Sequence, residues 1–158
     1  LGVAADVAEL LTVYREHLPE IDLFEDARTL FARVHGKLPL ALLTDGYAAV
    51  QRRKLDALGI ASLFAVRVFS DDAGRHAWKP SPLPYQRVMN LLAQEAEEFI
   101  YVGDNPAKDF VTARALGWQT VQIRRPGAVH PIMTVSPGFE ADLVIDSLTG
   151  LPWHRYGL

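Results

Sequence analysis

The chain has 158 residues, of which 49% are hydrophobic and 22% charged, and a formal net charge of −3. This fits one globular domain with a real core and gives no reason to expect nucleic acid or an anionic membrane as partner. It has no cysteine, which excludes disulfides and thiolate metal sites and suits a reducing cytoplasm. No apolar run approaches the roughly 20 residues that span a bilayer. Asp6, Glu9, Arg15 and Glu16 near the start argue against a signal peptide.

In chain order, Val3, Val7, Leu10 and Tyr14 recur at helical spacing and predict a helix over 4–17, closed by Pro19. Asp22 to Glu25 has the form of a capping box, and Phe24, Ala27, Phe31 and Val34 share a face in the helix that follows. Gly36 fits the C′ position of that helix. Residues 38–43 form a nearly all-apolar run, the pattern of a strand buried on both faces. Thr44-Asp45-Gly46 follows, then a helix to Leu58 ended by Gly59. A second strand is predicted over 63–69, a loop over 70–74, and a helix over 82–92 with a proline in its first turn. Residues 99–102 read as the next strand. Asn105 then caps a helix with Pro106 at its first position, and this helix ends near Gly117. Strands over 119–123 and 142–145 flank a Pro- and Gly-bearing loop over 124–141.

Strands alternating with helices predict an α/β fold, a doubly wound parallel sheet with helices on both faces. Ligands in such sheets sit beyond the carboxyl ends of the strands. That edge carries Thr44-Asp45-Gly46, then Lys79-Pro80, then Gly103-Asp104 with Asp109 close behind. A hydroxyl, a glycine-bearing helix N-terminus and a lysine suit a phosphate. Two carboxylates, Asp104 and Asp109, suit Mg²⁺, which takes oxygen ligands and often shares substrate phosphate. Taken singly, Asp104 could cap a helix and Asp109 could answer a helix dipole. Asp71 and Asp72 read as solvated loop acids, Arg52-Arg53-Lys54 as a wet helix face, and His35, His76, His130 and His154 as surface residues without metal-ligand spacing. Trp118 and Trp153 read as core.

"LLTDG" at 42–46, "KP" at 79–80 and "VGDNPAKD" at 102–109 resemble, in order, the second, third and fourth signature motifs of the haloacid dehalogenase-like hydrolases. The resemblance runs from about residue 19 to residue 151 and includes "SDDAG" and "ADLVIDSLTGL". It implies a Rossmann-like core over 19–158, preceded at 1–18 by a helix from the end of a cap segment. It also implies a Mg²⁺-dependent phosphatase of the cytoplasm that acts on a small phosphomonoester through an aspartyl-phosphate. Thr44 would bond the transferred phosphoryl group, helped by backbone N–H groups near Asp45 and Gly46. Lys79 would neutralise charge, Asp104 would ligate the metal, and Asp109 would support it directly or through water. The family's first motif, an apolar strand ending in Asp-x-Asp, has no match in these residues. The chain is therefore expected to lack the first, central strand, which the family places between those read at 38–43 and 99–102, and with it the nucleophile. The competing reading is a non-catalytic α/β module that binds a phosphate-bearing ligand or a protein partner at the same edge. Paired carboxylates disfavour a dehalogenase, which needs no metal. A phospho-acceptor signalling domain would want its acids at the end of a first strand.

Overall fold

The computed structural model describes residues 6–127 and 135–153. Of five short strands the first four alternate with helices, and every strand pairing is parallel. Strand β1 (Ala41–Thr44) pairs with β2 (Val66–Phe69), Thr44 lying opposite Phe69. Strands β3 (Ile100–Gly103), β4 (Gln119–Ile123) and β5 (Leu143–Ile145) form a second sheet in the order β3-β4-β5, with Gly103 opposite Gln122. Among the described residues no hydrogen-bonded ladder joins the two sheets. The break falls between β1 and β3, where the resemblance puts the family's first strand.

Two helices hold the sheets together across that break. Helix α2 (Glu25–Val34) and helix α4 (Leu83–Leu92) lie on opposite faces, as the two-residue alternation of the strands shows. On one face, Tyr85 and Val88 of α4 pack with Val66 and Val68 of β2, Tyr101 of β3, and the nearby Phe99, Phe110 and Trp118. On the other, Ala27 and Leu30 of α2 pack against the Val121, Ile145, Leu148 and Leu151 cluster, joined by Ile100. Phe31 of α2 meets Phe64 edge-on at 5.9 Å between ring centroids and packs with Leu42. What remains between the sheets is an apolar cleft of about 370 Å³. Its side walls are β1 and β3, and Leu30 and Val34 of α2 and Val88 and Leu92 of α4 cover it.

Helix α1 (Val7–Glu16) is capped by Asp6, whose carboxylate accepts from the Ala8 N–H at 2.9 Å. Its predicted apolar face is left uncovered: Val7, Leu10 and Tyr14 are exposed, and Val3 lies outside the described residues. Helix α3 (Ala48–Leu58) ends where predicted, at Gly59, whose φ of 66° is the left-handed turn a glycine makes without strain. Gly36 does the same after α2 at a φ of 70°.

Three local expectations are corrected. The capping box at α2 does not form: Phe24 occupies the N-cap without a side-chain bond, and Asp22 pairs with Arg28 at 3.4 Å instead. Asn105 caps a turn rather than a helix, accepting the Ala107 N–H at 3.1 Å, and helix α5 (Phe110–Ala115) starts five residues later. Asp71 is not a free loop acid, since it accepts the Ala48 N–H at 3.0 Å and the Trp78 Nε1–H at 3.1 Å. His130, His154 and residues 128–134 of the 124–141 loop lie outside the described residues. Among the described residues no helix is long and apolar enough to cross a membrane.

Candidate functional site

Ion pairs across the break, Lys79 with Asp109 and Lys108 with Asp45, bring the carboxyl ends of β1 and β3 to the same edge of the fold, on the two sides of the cleft. Thr44 is the last residue of β1, and its hydroxyl donates to Gln51 Oε1 at 3.2 Å on α3. Gly46 follows at a φ of 100°, and a Cβ there would meet the Gln51 amide nitrogen at 3.0 Å. A side chain would therefore be strained by its backbone, and Gln51 would have to shift to admit it.

Asp45 points inward. It is 5% exposed and accepts three donors: the Ser70 hydroxyl at 2.7 Å, the Lys79 N–H at 3.1 Å and the Lys108 ammonium at 2.8 Å. Burial alone would raise its carboxyl. Lys108, Ser70 and the Lys79 amide outweigh that and hold it below the usual carboxylate range. Asp45 thus ties the β1 loop to the Lys79 loop and, through Lys108, to the loop after β3.

Lys79 and Asp109 form a buried ion pair, with Nζ 2.7 Å from Oδ1 and side chains 8% and 2% exposed. Tyr101 Oη accepts from the same ammonium at 2.9 Å. The other carboxylate oxygen, Oδ2, accepts the Asn105 N–H at 2.9 Å. Burial, followed by the Asp109 charge, pushes the Tyr101 phenol well above its ordinary range, so it stays protonated. Tyr85 donates to the Asp109 carbonyl at 2.9 Å. Gly103 leaves room for this arrangement, since a Cβ there would stand 2.7 Å from Asp109 Oδ2.

Asp104 is exposed. It and Asp109 lie on one loop and differ in state: Asp104 faces solvent, whereas both oxygens of Asp109 are engaged. No group of three or more His, Cys, Asp or Glu residues that could hold a metal exists among the described residues. Two carboxylates fit Mg²⁺ only if the ion keeps several of its waters, which is its usual habit.

Thr44, Asp45, Lys79 and Asp109 are thus joined by one hydrogen-bonded network of three loops, with Asp104 beside them. Sequence reasoning missed Gln51, Ser70, Tyr101 and Lys108. Lys108 could have been suspected from its place beside Asp109 in "NPAKD". Gln51 carries no signal, because only the turn of α3 brings it back to Thr44.

A second group borders this network. Tyr47 directly follows Gly46, Trp78 directly precedes Lys79, and their rings meet edge-on at 6.4 Å. Two guanidinium groups converge on the Tyr47 hydroxyl, Arg15 from α1 at 2.9 Å and Arg75 from the 70–78 loop at 2.7 Å. The Arg15 hydrogen bond, then the charges of Arg15 and Arg75, lower the Tyr47 phenol from its ordinary value.

Comparison with known proteins identifies the family. The chain is 33% identical over 123 residues to a phosphoserine phosphatase of Thermus thermophilus, a match that covers 77% of this chain and 47% of the relative. It is 38% identical over 86 residues to a glyceraldehyde 3-phosphate phosphatase of Methanopyrus kandleri, covering 54% of this chain and 36% of that one. The chain therefore spans about half the length, or less, of these curated relatives. Its fold matches a magnesium-bound HAD hydrolase of Bacillus subtilis with a TM-score of 0.78 over 99% of this chain and 66% of that one, at 23% identity. It also matches an L-2-haloacid dehalogenase of Xanthobacter autotrophicus with a TM-score of 0.74 over 99% of this chain and 69% of that one, at 20% identity. The sequence profile of the haloacid dehalogenase-like hydrolases matches residues 2–123. Over most of its length, this chain belongs to the haloacid dehalogenase-like hydrolases.

Proposed function

We propose that the protein carrying this chain is a Mg²⁺-dependent phosphatase that acts on a small phosphomonoester in the cytoplasm. The observation that carries the reading is the arrangement at the ends of β1 and β3. A half-buried hydroxyl at Thr44, a glycine turn at Gly46 and a buried ammonium at Lys79 stand with the carboxylates Asp104 and Asp109 on one edge. The two curated relatives named above, a phosphoserine and a glyceraldehyde 3-phosphate phosphatase, support the same substrate class.

In this reading Thr44 and the N–H groups of the Asp45-Gly46 turn bind the phosphoryl oxygens. Lys79 neutralises their charge from within the fold. Asp109 and Tyr101 fix the direction of the Lys79 ammonium, and Asp45 fixes its backbone. Asp104 holds Mg²⁺, and Asp109 supports the ion through water because its own oxygens are engaged. Mg²⁺ supplies further charge neutralisation on the phosphoryl group when bound. Phosphoryl transfer rests mostly on positioning and charge neutralisation, and these residues provide both. No aspartate in the 158 residues matches the family's Asp-x-Asp motif, so the attacking carboxylate is assigned to no residue here. Residues 1–18 belong in this reading to a cap segment and residues 19–158 to the core. In support, α1 buries none of its side chains.

The test is hydrolysis of p-nitrophenyl phosphate with and without Mg²⁺, on the complete natural protein and on its Asp104→Ala variant. Mg²⁺-dependent turnover that the substitution reduces at least 100-fold is expected. A folded, inert protein would move the reading to a phosphate-binding module without catalysis.

A further inference from the structure

We propose that Arg15, Tyr47 and Arg75 form a subsite for a second anionic group on the substrate, so that the preferred phosphomonoester is one whose leaving group carries a carboxylate. This inference rests on the phosphatase reading for the place of the phosphoryl group. Its own basis is a separate cluster of residues.

Two guanidinium nitrogens lie within 3 Å of one phenol oxygen. Like charges brought to one acceptor repel each other. A neutral phenol dipole offsets only part of that. Among the described residues, neither arginine has a carboxylate within ion-pair distance, and the one acceptor they share is the Tyr47 hydroxyl. Of the two acids on the loop that carries Arg75, Asp71 is engaged by the Ala48 N–H and the Trp78 indole, and Asp72 is taken by Arg52 at 2.8 Å. Arg15 Nε is moreover buried with no acceptor, an unmet donor on one of the two cations.

The cluster is also held in place. Arg15 stacks over the Tyr47 ring with Cζ 4.2 Å from its centroid, and Arg75 lies 5.4 Å from the Trp78 ring centroid. Asp71 pins Trp78 and the first residue of α3 at once. Tyr47 and Trp78 are the immediate chain neighbours of Gly46 and Lys79, so the positive group borders the phosphoryl-binding residues on two loops. A planar carboxylate matches a guanidinium fork and would relieve the repulsion between the two.

The experiment compares two ligands of one carbon skeleton, 3-phosphoglycerate and glycerol 1-phosphate, by calorimetric titration of the complete protein in metal-free buffer, where neither turns over. The carboxylate-bearing ligand is expected to bind about tenfold tighter or more. In Arg75→Gln that advantage should fall to within about twofold, and Arg75→Lys should restore part of it. Arg15→Gln should act alike, with its thermal melt measured because Arg15 also anchors α1. Equal binding of the two ligands to the natural protein, or an advantage that survives Arg75→Gln, would overturn the proposal. Because the comparison reads binding, failure of p-nitrophenyl phosphate turnover would refute the phosphatase reading and leave this outcome to be decided by the titrations.

Discussion

Lys79 and Asp109 are the most secluded ion pair among the described residues, and neither charge has water to fall back on. Removing one partner leaves the other buried and unpaired, which typically costs 3–5 kcal/mol. Lys79→Met should therefore destabilise the fold by about 3–5 kcal/mol, as well as abolish activity. Adding Asp109→Asn to it should recover part of the stability and none of the activity. Urea unfolding of the two variants separates these contributions. A Lys79→Met protein as stable as the natural one would mean that the pair is solvated in solution. The sequence pointed to both residues but not to their contact. It gave each a separate role, because spacing along the chain does not show that Asp109 turns back under Gly103 toward the lysine.

At the scale of elements, Asp26 joins α2 to the far end of the chain. Its carboxylate takes both bonds of Arg125, at 2.7 and 2.8 Å, and accepts the Leu148 N–H at 2.9 Å and the Ser147 hydroxyl at 3.2 Å. Asp26→Ala leaves Arg125 and a backbone N–H without partners, at about 1–3 kcal/mol for each buried group left unsatisfied. Hydrogen exchange at the Leu148 amide should then quicken more than at the Thr120 amide, which Asp142 holds independently. Equal change at both would show that the whole fold had loosened instead. No sequence rule pairs residues 26, 125 and 148, so this connection was not legible. Element order was. The apolar runs, Gly36, Gly59 and Gly117 punctuate the chain locally and read correctly, and β4 falls on the predicted residues. The caps at Asp22 and Asn105 misled because the same residue types also serve ion pairs and turns, and local pattern does not decide between these uses. Asp45 was read for its backbone N–H alone, and the local pattern does not show that its carboxylate is a buried crosslink.

For the molecule as a whole, Asp26 and Asp45 contribute to the response to pH. Asp26 and Asp45 are each pushed up by burial but held lower overall, Asp26 mainly by the Leu148 N–H and Arg125, and Asp45 mainly by Lys108 and Ser70. A folded-state value below the unfolded one, about 3.9 for aspartate, means that the native state binds protons less readily than the unfolded chain. Their contribution is present above that value and is lost as pH falls through the folded values. Urea midpoints should therefore hold from pH 7 to about 5 and fall below about 4, and the fall should be shallower in Asp45→Asn. An unchanged acid limb in that variant would show that other groups carry it. The cleft between β1 and β3 has a consequence of another kind. Among the described residues each strand is laddered on one side only, so two rows of amide and carbonyl groups face a greasy slot without a strand to pair them. This polypeptide on its own is thus a template at two edges. In concentrated solution it should cluster with its own copies, with light scattering that rises steeply with concentration. A short, apolar, extended peptide, seated in the slot like a missing slat, should keep the copies apart.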